Sequence, residues 1–282
     1  MTLLMGAVAY DPKVVTIWAG FRSWLGAQGF DFDFVLYSHY ERQAEDLVAG
    51  RIDAAWNSPL AWVRAERLAR AAGRTLTPLV MRDTDQDLTS VVVVQADAPY
   101  KDVADLKGET IGVGAVDSPQ ATLIPCSFLS AAGVRPHEDV RVRRFDVGVG
   151  LHGDHIGGER DAARALVAGQ VAAACMIDGN HLLFGQEGTL PAGSTRVIAR
   201  TPPFDHCNMT LGAVDPDVRR RFGDLLLSMS YADPQVRPLF DLEGLTAWRP
   251  GRTSGYAALV QAVDQSGFYD ANGAVTAAEY TP

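Results

Sequence analysis

Short apolar runs alternate with longer segments of helical period along the first 200 or so residues, and this order restricts the fold more than any other feature. A chain that repeats strand, helix, strand builds a sheet flanked by helices. Leu3–Ala9 reads as a strand, Pro12–Gln28 as a helix with Val14, Ile17, Trp18, Phe21 and Leu25 on one face, and Phe32–Tyr37 as a second strand. A helix over Glu41–Ala49 is ended by Gly50, Ile52–Trp56 is a third strand, and Asn57-Ser58-Pro59 caps a helix running to Ala72. Leu76–Met81 and Ser90–Gln95 follow as strands, with the polar stretch Asp83–Asp87 as a crossing between them. Then come strand Thr110–Val113, helix Gln120–Ala132, strand Val140–Phe145, helix Arg160–Ala168, strand Val171–Met176, helix Gly179–Phe184 and strand Thr195–Ala199.

The chain has 282 residues, a length that suits two domains better than one core. The fold class expected is α/β in two lobes, each a mostly parallel sheet flanked by helices, with two crossing strands as a hinge. The first crossing falls just before Thr89, and Pro202-Pro203 marks the return, because paired prolines favour an extended linker and remove two amide donors. Residues 1–88 and 203–282 therefore form lobe I and residues 89–202 form lobe II, with a ligand cleft between them. Helices Pro216–Ser228, Pro234–Leu239 and Tyr256–Val263 complete lobe I in this reading.

Hydrophobic residues make up 47% and charged residues 21%, both near globular averages, so a disordered or fibrous chain is excluded. The net charge of −9 repels a polyanion, and no Lys/Arg stripe interleaved with aromatics offers a nucleic-acid surface. No apolar run reaches the roughly 18 to 20 residues that span a bilayer. Cys126, Cys175 and Cys207 are odd in number and widely spaced, which argues against a disulfide framework and suits a reducing compartment. The opening Met-Thr-Leu-Leu-Met-Gly-Ala-Val shows no basic n-region. The expected location is the cytoplasm, or the periplasm if a leader has been removed.

Several stretches recur together in one known family. They are Gly6-Ala7-Val8-Ala9-Tyr10-Asp11-Pro12; Leu47-Val48-Ala49-Gly50-Arg51-Ile52-Asp53-Ala54-Ala55-Trp56-Asn57-Ser58-Pro59-Leu60-Ala61, similar to an "AGKVDVAWLGPLAY" pattern; and Val103-Ala104-Asp105-Leu106-Lys107-Gly108-Glu109-Thr110-Ile111-Gly112. Arg160–Gly169 and Thr201-Pro202-Pro203-Phe204 continue the series. In order and spacing they resemble the phosphate/phosphite/phosphonate-binding components of ABC importers, within the type II periplasmic binding proteins. The resemblance covers nearly the whole chain. It implies two α/β lobes closing by hinge motion on a small-molecule ligand, and an importer permease as partner if the protein is exported. Where phosphonate binders of the family carry a Ser/Thr-rich turn at a second-lobe helix, this chain has Asp117-Ser118-Pro119-Gln120-Ala121-Thr122, so only part of that anion cradle is kept.

The candidate ligand contacts lie at strand ends, where open α/β sheets collect ligands: Tyr10, His39, Trp56, Asn57, Ser58, Ser118, Gln120, Thr122, Asp178 and His206. Ser118 and Ser58 have two readings, as donors to an anion at a helix start or as caps. The loop Gly148–Glu159 sets five glycines around His152, Asp154, His155 and Glu159, offering nitrogen and oxygen donors to a transition metal such as Fe, Zn or Cu, with Cys207 as a further ligand. Its alternative is a structural turn with a capping histidine. His39, His152, His155 and His206 are expected to converge on the cleft.

Two functions follow. One is a solute-binding protein that closes on a small anionic or zwitterionic ligand, phosphonate-like, sulfonate or carboxylate. The other is a cytoplasmic enzyme on the same fold, with His152, His155, Asp154 and His206 as catalytic groups and a metal as cofactor. Residual metal content and a ligand-induced rise in stability separate the two.

Overall fold

Four consecutive valines show how the chain builds its interior. In the computed structural model, which describes residues 2–281, they lie in a strand paired on both edges. Val91 and Val93 enter one hydrophobic cluster, and Val92 and Val94 enter another. Successive side chains of a strand point to opposite faces, so an unbroken apolar run is the signature of a strand covered on both sides.

In chain order the first elements are β1 (Leu3–Val8), α1 (Lys13–Ala27), β2 (Phe32–Tyr37), α2 (Tyr40–Ala49), β3 (Ala54–Asn57), α3 (Pro59–Ala71) and β4 (Thr77–Arg82). Next come β5 (Ser90–Gln95), β6 (Thr110–Val113), α4 (Ile124–Ala131), β7 (Arg141–Arg144), α5 (Gly157–Val167), β8 (Ala173–Ile177), α6 (Asp178–Gln186) and β9 (Thr195–Arg200). The chain ends with β10 (Asn208–Leu211), α7 (Pro216–Ser228), α8 (Arg237–Glu243), β11 (Trp248–Pro250) and α9 (Ala257–Ser266). The helix expected at Gln120 opens instead with a wide π-type turn over Pro119–Leu123, capped by the Ser118 hydroxyl, which accepts from the Ala121 amide.

The structure forms two units. Unit 1 runs to Gln86 and includes Asp205–Tyr256 and Tyr269–Ala274. Unit 2 holds Asp87–Phe204, Ala257–Phe268 and the chain from Val275 onward. The assignment of residues 203–282 to the first lobe is corrected here: α9 and the chain end belong to unit 2. The Leu259, Ala262 and Val263 face of α9 is buried, and Gln265 accepts a 2.6 Å hydrogen bond from Ser127 on α4. An apolar stripe on a helix tells that it is buried but not in which core.

Unit 1 carries a six-stranded sheet in the order β11-β4-β10-β3-β1-β2, and unit 2 a five-stranded sheet in the order β7-β6-β8-β5-β9. Both are mixed. The β1/β2, β1/β3, β6/β7 and β6/β8 pairs are parallel, as strand–helix–strand units require. β10 runs antiparallel to β3 and β4, and β5 antiparallel to β8 and β9. These inserted strands begin shortly after the chain passes between units, so no crossover helix fixes their direction.

The core of unit 1 is aromatic. Trp18, Trp56, Phe21, Phe240 and Trp248 meet edge-to-face or tilted, with ring centroids 5.2 to 6.4 Å apart, an arrangement that adds roughly 0.5 to 1.5 kcal/mol per pair beyond burial. Gly50 ends α2 in the left-handed region at φ 76°, as the sequence suggests. Gly158 in α5 is required by contact: a Cβ there would stand 2.4 Å from the Phe145 carbonyl oxygen. Among the described residues no helix is long and apolar enough to cross a membrane.

Candidate functional site

The parallel registers decide which polar residues share a sheet end. In unit 1, Val8 pairs with Tyr37, and Gly6 with Ala55. Tyr10, His39 and the Asn57-Ser58 pair therefore leave the same carboxyl-terminal edge of three adjacent strands. Tyr10 is half-buried, with the Lys13 ammonium 5.8 Å from its ring centroid. His39 is the residue before α2, and its buried Nδ1 has no hydrogen-bond partner. These groups bring an ammonium, an aromatic ring and an imidazole to that edge.

The other expected unit 1 contacts are absorbed by the interior. Trp56 is 4% exposed and is a member of the aromatic core, with the Arg82 guanidinium 5.5 Å from its ring. The Ser58 hydroxyl caps α3 by accepting from Ala61. Asn57 joins a buried relay: Gln43 Nε2 donates to Asn57 Oδ1 at 3.0 Å, Asn57 Nδ2 to Thr210 at 2.8 Å, and Thr210 to Asn208 Oδ1 at 2.5 Å. Asn208 Nδ2 then donates to the Tyr256 hydroxyl, which donates to the His206 carbonyl, both at 2.8 Å. Buried amides and hydroxyls persist only when satisfied in this way.

In unit 2, Val113 pairs with Arg144, and Gly112 with Ala174. The Asp117–Thr122 turn, the loop after β7 and the start of α6 thus share one sheet end. Ser90 donates to the Gln120 carbonyl, and Thr122 donates to the Ala115 carbonyl at 2.8 Å. Gln120 Nε2 donates to the Gly153 carbonyl at 2.7 Å and to Glu159 Oε1 at 3.2 Å, while Gln120 Oε1 is buried without a partner. Asp178 Oδ2 accepts from Thr89 at 2.9 Å and faces Arg200 at 3.4 Å.

The glycine- and histidine-rich loop does not present a donor set to a metal, which corrects the expectation for His152, His155 and Glu159. His152 is fully buried with φ 50°; its amide and that of Gly150 donate to Asp117 Oδ2 at 2.9 and 2.8 Å, and its Nε2 lies 3.2 Å from the Tyr280 hydroxyl. Burial raises the Asp117 carboxyl above its ordinary range, against the lowering influence of His152 and the two amides. His155 is exposed, and its Nδ1 accepts from the Gly157 amide two residues on. Asp154 is half-buried, its amide donating to Leu151. Glu159, 2% exposed, accepts from the Ile177 amide and Asn180 Nδ2, both at 2.9 Å. The residues expected to be catalytic, His152, Asp154, His155 and His206, each hold separate partners.

Among the described residues, one group brings metal-capable side chains together: Asp85, His206 and Cys207, all buried, with one donor atom from each within 4.8 Å of the others. It shares only Cys207 with the ligand set expected from sequence. His206 Nδ1 lies 3.1 Å from Cys207 Sγ and 3.6 Å from an Asp85 oxygen. Arg82 grips Asp85 with two hydrogen bonds of 2.6 and 2.7 Å and also reaches the Glu243 side chain at 3.3 Å. Burial alone raises the Asp85 carboxyl, but the Arg82 charge and the hydrogen bonds from His206 and Arg82 outweigh it and hold it at about 2. Asp83–Asp87 has the composition of a solvated crossing, and no local pattern in the sequence marks Arg82 and Asp85 as a buried pair.

The profile of a family described as ABC transporter, phosphonate, periplasmic substrate-binding protein matches residues 6–256. The chain belongs to this family. Its fold is shared with PhnD1 of Prochlorococcus marinus in complex with methylphosphonate, at 14% identity and TM-score 0.68 over 94% of this chain and 97% of that one. XAC2383 of Xanthomonas citri, bound to ATP, superposes with TM-score 0.69 at 17% identity over 94% and 97% of the two chains. The periplasmic aliphatic sulphonate-binding protein SsuA of Escherichia coli gives TM-score 0.56 at 18% identity over 94% and 86%. No curated protein sequence matches. The type II periplasmic-binding-protein fold and a solute-binding role are thereby established, with a small molecule as the ligand class.

Proposed function

We propose that this chain is the solute receptor of an ABC importer for a small oxyanion or zwitterion of the phosphonate, sulfonate or carboxylate class. It would act on the outer side of the cytoplasmic membrane and hand its ligand to a permease. The family match across residues 6–256 carries this reading, since the family serves such importers and is described as periplasmic. One feature of the chain supports the ligand class: the Lys13 ammonium beside the Tyr10 ring and the unpartnered Nδ1 of His39 stand at the carboxyl edge of the unit 1 sheet, where they suit an oxyanion.

The test is a thermal-shift panel of alkylphosphonates, alkylsulfonates, simple carboxylates and their amino derivatives. A ligand that binds only the folded state at 100 times its Kd adds about 2.7 kcal/mol of stability, so a true ligand raises Tm in a saturable way. Absence of any saturable shift across all four classes contradicts the proposal.

A further inference from the structure

We propose that unit 1 contains a site for one divalent transition ion of the zinc type, formed by Asp85, His206 and Cys207. A thiolate, an imidazole and a carboxylate are the donor types that Zn²⁺ accepts. With ordinary Zn–S, Zn–N and Zn–O bond lengths, tetrahedral geometry sets neighbouring donors roughly 3.4 to 3.6 Å apart. From His206 Nδ1 the sulfur lies 3.1 Å away and the Asp85 oxygen 3.6 Å away, within roughly half an ångström of those spacings, so small side-chain adjustments would seat an ion. The donors are also held in place. The His206 amide donates to the Asp85 carbonyl at 2.8 Å, and the His206 carbonyl accepts from Tyr256 at 2.8 Å. Arg82 orients the Asp85 carboxylate from behind, its amide and Nε donating to Oδ2 and its other arm to Oδ1, which keeps a second lone pair for an ion.

Arg82 contacts two carboxylates whose side chains are 1% and 2% exposed, Asp85 and Glu243, and a bound cation would add a further counter-charge beside Asp85. Binding replaces the thiol proton, so one proton leaves as the sulfur–metal bond forms and no redox partner is involved. The position in the chain gives the ion a structural role. Asp85 immediately precedes the passage out of unit 1 after Gln86, and His206-Cys207 immediately follow the return at Asp205. One ion would pin both segments.

The experiment is titration of metal-free protein with Co²⁺, read in the near ultraviolet, followed by displacement with Zn²⁺. The expected result is a thiolate-to-cobalt charge-transfer band saturating at one equivalent, kept in a Cys126→Ala, Cys175→Ala double variant and lost in Cys207→Ser and His206→Gln. Zn²⁺ should also raise Tm of the wild type and leave Cys207→Ser unchanged. No charge-transfer band in the wild type, or a band that survives Cys207→Ser, overturns the site. Should the Cys207 or His206 variants fail to fold, zinc-edge X-ray absorption of the wild type decides: one sulfur and one imidazole neighbour sustain the proposal, and an all-oxygen or all-nitrogen shell overturns it.

Discussion

Replacing Arg82 with glutamine should be among the most damaging single changes to unit 1. Asp85 is 1% exposed and receives both arms of the guanidinium, while Glu243 receives a third contact. The Asp85 carboxyl is held at about 2, some two pK units below an ordinary aspartate, and at 1.36 kcal/mol per unit this is roughly 2 to 3 kcal/mol of differential stabilisation. Removing one partner of a buried pair costs more than that, about 3 to 5 kcal/mol, because a desolvated charge is left behind. Urea unfolding followed by tryptophan fluorescence, with a chelator present so that no ion contributes, should show Arg82→Gln less stable by that amount. An Arg82→Gln, Asp85→Asn double variant should recover part of the loss, giving a coupling energy of about 2 kcal/mol. The pH dependence has a definite sign. A depressed folded pKa stabilises above the ordinary carboxylate range and loses that contribution as pH falls from about 4 toward 2; burial raises the same carboxyl once Arg82 is gone, so the advantage over Arg82→Gln should begin to shrink above that window and be lost within it. A loss below about 1 kcal/mol, or strictly additive single changes, would refute the reasoning.

Other changes report on unit 2. Glu159→Gln turns one of two accepting oxygens into a donor that faces other donors, the Ile177 amide, Asn180 and Gln120; it should cost about 2 to 4 kcal/mol in urea unfolding, and a loss within about 0.5 kcal/mol would show the network to be slack. Asp117 has the opposite sign to Asp85. Its folded pKa is raised, so its contribution is greatest below the unfolded value and is lost as pH rises through the folded one. Stability of Asp117→Asn relative to wild type should therefore improve from acid toward neutral pH, and a flat difference would contradict the assignment.

Much of this architecture is legible in the sequence because it rests on local rules. The boundaries of β2, β5, β6 and α7 follow from apolar runs and a proline start, and Gly50 and Ser58 act as cap residues must. What escaped has long-range causes. β10 is only Asn208–Leu211, too short to show a period, and gains its place from β3 and β4. β11 ends in Pro250, which argues against a strand until its position at the sheet edge is known. The site was harder still. His152 looks like an exposed donor among glycines, but its burial is set by Asp117 and by Tyr280, 128 residues away. Asp85 and His206 are brought together by tertiary pairing alone.

The central claim is that the chain binds a small oxyanion-bearing solute, and isothermal titration calorimetry of the purified protein against methylphosphonate, an aminoalkylphosphonate, an alkylsulfonate and a carboxylate tests it directly. The account predicts a saturable heat for at least one of them, with one site per chain and a Kd of about 1 μM or tighter, near −8 kcal/mol. Heats of dilution alone for every compound, at concentrations into the millimolar range, would contradict it.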